Sequence, residues 1–450
     1  MDTRLLTLGL AIPEILLPRD SADLSRWAII ACDQFTQDRA YWDHVRKAVG
    51  DHPSTLNLVF PEVYLENDDR KKRIASIHRA MDSYLAEGVF APPFKGCVYV
   101  ERSTPYHKRR RGLIIAVDLD RYDWTGRAKA LIRATEGTVP ERLPPRMDIR
   151  RGASLESPHI LVLVDDDKDT LLPGLAALLR HLEPRYRGSL MLDSGTVTGW
   201  ALDREEHWAF IAEQFEELYR RAESRYSGND SPFLYAVGDG NHSLATAKGI
   251  WEEYKKVHQG ESGLMEHPAR FALVEIENIY DPGIGFEPIH RILFNASIDD
   301  VIDTLALLPE AAVYPVEGNA TKLCEMVRDQ NTTKGRLGLI SGSRMVLLEN
   351  EAPGLATVSL QPLLDRFVVR GAAAGGGSPS IDYIHGEEEL IRLATTGKHG
   401  DSAVGIILPP IRKDGLFETV ARSGPLPRKS FSMGEAVEKR FYLECRKLFG

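Results

Sequence analysis

Gly238, Asp239, Gly240, Asn241 and His242 stand between an apolar run, Phe233 to Val237, and a stretch of helical periodicity that continues through Lys248. That order of residue types predicts a strand, a tight turn and a helix N-terminus. Gly238 and Gly240 allow backbone angles and a close approach that a β-carbon blocks, and the first free N–H groups of a helix point outward at the positive end of its dipole. A phosphate or carboxylate suits such a turn. Asp239 adds a carboxylate that can hold a metal ion or take a proton, His242 adds an imidazole that titrates near neutrality, and Gly240, Asn241 and Ser243 complete the cradle. A second reading stays open, in which Asp239 caps the helix while Asn241 and His242 satisfy loop backbone.

Other clusters carry charge in patterns that could meet an anion. Arg133, Glu136, Thr138, Glu141, Arg142, Arg146, Arg150 and Arg151 fall in one segment with three prolines, too rich in charges and breakers for a packed helix. A guanidinium makes bidentate contacts with phosphate or carboxylate while neighbouring carboxylates orient it or bind metal, although a structural salt-bridge loop has the same composition. Glu287-Pro288-Ile289-His290-Arg291 puts an imidazole and a guanidinium side by side, and Pro427-Arg428-Lys429-Ser430 puts two cations and a hydroxyl in an extended loop. The run Lys108-Arg109-Arg110-Arg111 is read as a solvated hairpin loop, Asp165-Asp166-Asp167 as helix capping, and Asp33 as an Asx turn or cap at a strand end.

The elements that must position these residues alternate along the chain. Strands are expected at 28–31, 96–102, 112–119, 160–164, 189–192 and 269–276. An amphipathic helix is expected over 68–87, with Ile74, Ile77, Met81 and Leu85 as its stripe, and a longer one follows Asp203 with Trp208, Ile211, Ala212, Phe215, Leu218 and Tyr219 buried. From about Ser297, helices at 298–308 and 319–330, strands at 336–349 and 355–360, a helix at 361–369, a strand at 381–384, a helix at 387–395 and a strand at 403–408 predict an α/β region. Glu435 is expected to open a terminal helix through Leu448. The Gly371–Ser378 stretch is the only low-complexity segment, read as a surface loop or a flap over a ligand.

Composition narrows the function classes. The chain has 450 residues, 43% of them hydrophobic, enough for two or three domains with buried cores. A formal charge of -9 argues against a general nucleic-acid or anionic-membrane surface. Cys32, Cys97, Cys324 and Cys445 form no Cys-x-x-Cys pair, so neither a structural zinc nor a redox dithiol is expected, and no haem, flavin or iron–sulfur signature stands out. With no leader pattern and no apolar stretch near 18 residues, a cytoplasmic protein is the expectation.

The string Val237 to Ala247 resembles the signature of the domain of unknown function 1015 family. So do Trp27 to Thr36, Arg133 to Thr138, Phe286 to Arg291, Ile381 to Gly386 and Leu426 to Ala436, so the resemblance spans nearly the whole chain. It implies site roles for Arg133, Glu136, Thr138 and Arg142, for His290 and Arg291, and for Lys429 with Arg428. The Asp-Gly-Asn-His turn is also similar, more distantly, to that of the ParB and sulfiredoxin superfamily, whose free serine kinases carry a comparable Asp-Gly-His-His sequence; Ser243 stands where those kinases often have Arg, a departure that removes a phosphate-pairing cation. This likeness implies a mixed α/β fold. A ParB-like core at 96–296 would lie between an N-terminal α/β region at 1–95 and a C-terminal α/β domain at 297–450.

The function expected is an enzyme that binds a nucleotide or phosphorylated ligand, in concrete form a kinase acting on a small hydroxyl metabolite such as serine, with Mg²⁺ accompanying the nucleotide. Glu136 or Asp239 would be base or metal ligand, and His242 would share the chemistry. Two alternatives stay open: a nucleotide-dependent switch, and a hydrolase or isomerase of an amino-acid derivative, since the chain has no P-loop or Rossmann fingerprint.

Overall fold

The computed structural model describes residues 3–19, 22–125, 129–226, 232–329, 333–352, 354–373, 378–396 and 402–449. Its architecture is mixed α/β, as expected. Contacts divide the chain into two compact units, one formed by Met1–Ile284 with Gly434–Gly450 and the other by Gly285–Met433.

The first unit is built on a large mixed sheet of β1 (Leu10–Ala11), β2 (Cys97–Ser103), β3 (Arg110–Asp118), β4 (Tyr122–Asp123), β5 (Ile132–Ala134), β6 (Leu161–Val164), β7 (Tyr186–Ser189), β8 (Thr196–Leu202), β9 (Tyr235–Asp239) and β10 (Phe271–Asn278). The order is β7-β8-β2-β3-β10-β6-β9-β5-β4, with β1 paired to β3. Most neighbours are antiparallel; β6–β10, β5–β9 and β4–β5 run parallel. Strand β3 is buried along its whole length, as expected of a strand covered on both faces.

The longer helices of this unit are α1 (Arg39–Val49), α2 (Arg70–Ala86), α3 (Leu143–Arg150), α4 (Leu171–Leu179), α5 (Glu205–Tyr226) and α6 (Asn241–Val257). The predicted stripes hold. On α2, Ile77 and Met81 are buried with Ile74 and Leu85 packed beside them. On α5, Ile211, Ala212, Phe215 and Leu218 are buried. Asp166 accepts hydrogen bonds from the Thr170 and Leu171 amides and so caps α4, while Arg221 and Arg225 of α5 pair with Asp165, Asp166 and Asp167.

Three expectations for this unit are corrected. The proline-bearing segment does form a helix, α3, because Pro144 and Pro145 lie in its first turn, where a missing N–H breaks no intrahelical bond. Arg110 and Arg111 are not in a solvated loop: they lie in β3, 4% and 7% exposed, with Arg110 paired to Glu277 and Arg111 to Asp281 and Asp169. The C-terminal segment is not a helix. After a single 3-10 turn, Ala436–Glu438, it runs extended, Phe441 and Tyr442 pairing with Ile30 and Ile29, and Arg446 with Glu156. A surface helix buries one stripe, whereas Lys439 to Arg446 are all buried. The polar members need partners on every side: Arg102 donates to the carbonyls of Val437, Glu438 and Lys439, Arg440 pairs with Glu275 and Glu444, and Arg446 with Glu156.

The second unit has its own antiparallel sheet of β11 (Phe286–Phe294), β12 (Ala312–Pro315), β13 (Gly335–Ser341), β14 (Arg344–Asn350), β15 (Ser380–His385), β16 (Ala403–Ile407) and β17 (Phe431–Met433). The order is β12-β14-β13-β16-β11-β15, with β17 paired to β11. Helices α7 (Ile298–Leu305), α8 (Ala320–Arg328), α9 (Ala356–Ala373), α10 (Glu387–Thr396) and α11 (Lys413–Ser423) complete it. The expected strand at 355–360 is instead the start of α9: Leu360, Leu363 and Leu364 bury a helical stripe, and the helix runs through Pro362. Of the Gly371–Ser378 stretch, residues 374–377 lie outside the described residues. Among the described residues no helix is long and apolar enough to cross a membrane.

Candidate functional site

The turn between β9 and α6 takes the form its residue types require. The strand runs to Asp239, Gly240 takes the left-handed conformation with φ +77°, and α6 begins at Asn241. A β-carbon at Gly240 would lie 3.1 Å from Ile160 Cα, so both the backbone angle and the close approach exclude other side chains. Around this turn Asn241 Oδ1 and Thr138 Oγ1 are buried without a hydrogen-bond partner, and Asp239 Oδ2 has the Lys439 ammonium as an ion-pair partner. Buried polar atoms in a native fold are nearly always satisfied, so such a group points to a ligand or ion. The Val139 amide donates to His242 Nε2 at 3.3 Å, drawing the loop after β5 onto the first turn of α6.

A second layer comes from distant segments. Lys439 Nζ lies 3.5 Å from Asp239 Oδ2, with both side chains largely buried. Ser243 Oγ is 3.0 Å from His159 Nε2, and the same ring nitrogen is 3.9 Å from Asp33 Oδ2. His159 Nδ1 meets the Tyr442 hydroxyl at 2.8 Å, and that hydroxyl also contacts Cys32 Sγ at 3.0 Å. Burial works to raise the Asp33 carboxyl, but His159, the Gln34 side-chain amide and Lys439 outweigh it and hold it below the ordinary carboxylate value. Asp33 is therefore ionised at neutral pH. Burial pushes the Cys32 thiol and the Tyr442 hydroxyl well above their ordinary values. Both stay protonated and serve as hydrogen-bonding groups.

This arrangement differs from a Ser-His-Asp triad. In a triad the carboxylate holds Nδ1 while the nucleophile faces Nε2. Here Ser243 and Asp33 both approach Nε2, and a neutral tyrosine holds Nδ1. The geometry suits a carboxylate acting on a hydroxyl beside a fixed imidazole, next to a helix N-terminus and a lysine.

The residues expected from the sequence are distributed as follows. Asp239, Gly240, Asn241, His242 and Ser243 meet at the turn, and Thr138 precedes the residue whose amide binds His242. Arg133 is buried on β5, its Nε donating to the Ala130 carbonyl and its guanidinium 4.9 Å over the Phe233 ring. Glu136 is half-buried just after β5, and Arg142 is exposed at the start of α3, its carbonyl accepting from Arg146. His290, Arg291, Arg428 and Lys429 belong to the second unit. His290 accepts from the Leu408 amide, and burial with the Arg291 charge pushes its pKa down to about 4. Arg291 is fully buried, bonded to Gln361 and the Ile289 carbonyl and 4.7 Å over Tyr383. Arg428 and Lys429 are exposed, and Lys429 takes a left-handed φ of 60°.

Asp33, His159, Lys439 and Tyr442 were not among the expected site residues. Asp33 caps no helix, since Asp38 caps α1. The available signal was Cys32-Asp33-Gln34 directly after an apolar run, and Ser157-Pro158-His159 directly before another. Among the described residues no group of three His, Cys, Asp or Glu side chains is placed to hold a metal ion. Mg²⁺ that arrives on phosphates needs only one or two carboxylates; the carboxylate at this turn, Asp239, is paired with Lys439.

The profile of the family described as Protein of unknown function (DUF1015) matches residues 16–367, and the chain belongs to that family. No curated protein matches it. Solved structures similar to it include a free serine kinase variant in complex with AMP, at 11% identity and TM-score 0.39, covering 74% of this chain and 92% of that one. A conserved hypothetical protein from Pyrococcus furiosus follows at 13% identity and TM-score 0.34, covering 75% and 95%. SbnI with C-terminal truncation from Staphylococcus aureus matches at 10% identity and TM-score 0.32, covering 71% and 82%.

Proposed function

We propose that the first unit binds a nucleoside polyphosphate at the N-terminus of α6 and transfers its terminal phosphoryl group to the hydroxyl of a small metabolite. The observation that carries this reading is the meeting of an ionised Asp33 beside His159 with the Lys439–Asp239 pair at one glycine turn. Phosphoryl transfer depends on positioning and on charge stabilisation, and those are the resources of this cluster. The amides that open α6 and the Lys439 ammonium would hold the phosphates. Asp239 and Asn241 would hold a Mg²⁺ ion, whose contribution is to neutralise phosphate charge.

Asp33 orients the acceptor hydroxyl and takes its proton. The bond from the terminal phosphorus to its bridging oxygen breaks, a bond from phosphorus to the acceptor oxygen forms, and the shortened nucleotide leaves. His159, fixed by Tyr442 and Ser243, positions Asp33. Thr138, His242 and Glu136 line the phosphate side in this reading.

The test is incubation with ATP or ADP, Mg²⁺ and a panel of small hydroxy metabolites, serine included, with phosphorylated products read by mass spectrometry. The reading expects one acceptor to gain phosphate and Asp33→Asn to lose that activity by 10²-fold or more, the usual scale for a proton-transfer group. Silence across the panel with both nucleotides would sink it.

A further inference from the structure

A cavity of about 150 Å³ opens beside the cluster in the first unit, with His159, Ser243, Cys32 and Tyr442 among the residues that line it. Its walls are apolar: Leu58, Phe60, Met81, Ile149 and Leu155 are among the residues that line it. A cavity of this size and lining holds a benzene-sized body of about six heavy atoms. The charged residues on its wall are mutually paired. Glu62 is bonded to Arg146, and Glu156 to Arg150 and to Arg446. Burial raises the Glu62 carboxyl although Arg146 opposes it, and Arg150 with Arg446 overcomes burial to hold Glu156 at about 2.

An apolar pocket with closed ion pairs offers nothing to a charged ligand and excludes one that brings its own charge. Among the polar residues of the lining is His159, whose Nε2 can bond a hydroxyl and lies 3.9 Å from Asp33 Oδ2.

We infer that this cavity binds a small neutral alcohol with an apolar body of about six heavy atoms, its hydroxyl directed at His159 and Asp33. This deepens the proposed function, because it rests on that reading in naming the alcohol as the phosphoryl acceptor. Serine and other zwitterions are then poor occupants. Specificity lies in apolar packing, and the hydroxyl is the only polar group the site recognises.

Benzyl alcohol, benzoate, serine and glycerol are the probes, added separately to the full chain without nucleotide. The readouts are the melting temperature and the Met81 methyl resonance in a protein labelled at its methionine methyls. Benzyl alcohol is expected to shift the Met81 methyl and raise the melting temperature, with benzoate, serine and glycerol doing neither. Met81→Phe, on α2, and Ala153→Leu, in the loop after α3, fill the cavity and are checked for folding by circular dichroism; each folded variant is expected to lose the benzyl alcohol rise in melting temperature, and Ala153→Leu the Met81 methyl shift as well. The inference is overturned if benzyl alcohol leaves the Met81 methyl unmoved in the wild type. It is also overturned if serine or benzoate moves it as far, or if a folded cavity-filling variant still responds. A separate nucleotide titration of the wild type distinguishes the two readings: a benzyl alcohol response without nucleotide binding supports the pocket and removes the kinase.

Discussion

Replacing Arg440 by Met removes the cation that ties the C-terminal segment to the floor of the site. Arg440 is 4% exposed, lies 2.8 Å from Glu275, pairs with Glu444, and donates to the carbonyls of Pro158 and Phe441. Taking away one partner of a buried ion pair leaves an uncompensated charge and costs about 3–5 kcal/mol. In a unit of this size each kcal/mol lowers the melting temperature by about 2 °C, so a drop of roughly 6–10 °C is expected. Pro158 precedes His159 and Arg440 follows Lys439, so nucleotide affinity is expected to weaken as well. The assay is thermal unfolding of both proteins at neutral pH. A drop under 2 °C would refute the claim that this arginine neutralises two buried carboxylates.

Gly240→Ala meets both a positive φ and a 3.1 Å approach to Ile160, so a loss of about 1–3 kcal/mol is expected in denaturant unfolding, with weaker nucleotide binding. His290 stays neutral in the native state down to about pH 4, whereas an unfolded histidine gains its proton at about 6.5. The unfolded chain therefore binds more protons between those values, stability falls as pH drops through the window by about 3 kcal/mol, and His290→Asn, which keeps an acceptor for the Leu408 amide, is expected to flatten that slope in melting curves. Because its thiol is held protonated, Cys32 is expected to resist iodoacetamide at pH 8 in the native protein although it is partly exposed; rapid alkylation in mass spectra would contradict this.

The glycine turn was legible because its signals are local. Two glycines, a change from strand to helical periodicity and a short polar run need no distant partner to be read. The stripes of α2 and α5 were legible for the same reason. What escaped was set by segments far apart: Tyr442 contacts Cys32 across 410 positions, and Arg440 bonds Pro158 across 282. Residues 435–448 were expected to form a helix, and what holds them extended is not local: the carboxylates and carbonyls that bury their arginines lie in other elements. Arg110 and Arg111 misled for the same reason: four consecutive cations suggest solvent until Glu277, Asp281 and Asp169 are placed beside them. Lys439 and Tyr442 lie in the misread segment, and so the sequence did not place them beside the glycine turn.

The most direct test is calorimetric titration of the full chain with ATP and with ADP in the presence of Mg²⁺, repeated on Lys439→Met and on His290→Asn. A phosphate held at the α6 N-terminus beside Lys439 predicts saturable binding in the wild type, at least a tenfold loss in Lys439→Met from a missing charge-assisted contact, and unchanged affinity in His290→Asn. Absence of binding by either nucleotide, or equal affinity in wild type and Lys439→Met, would contradict the account.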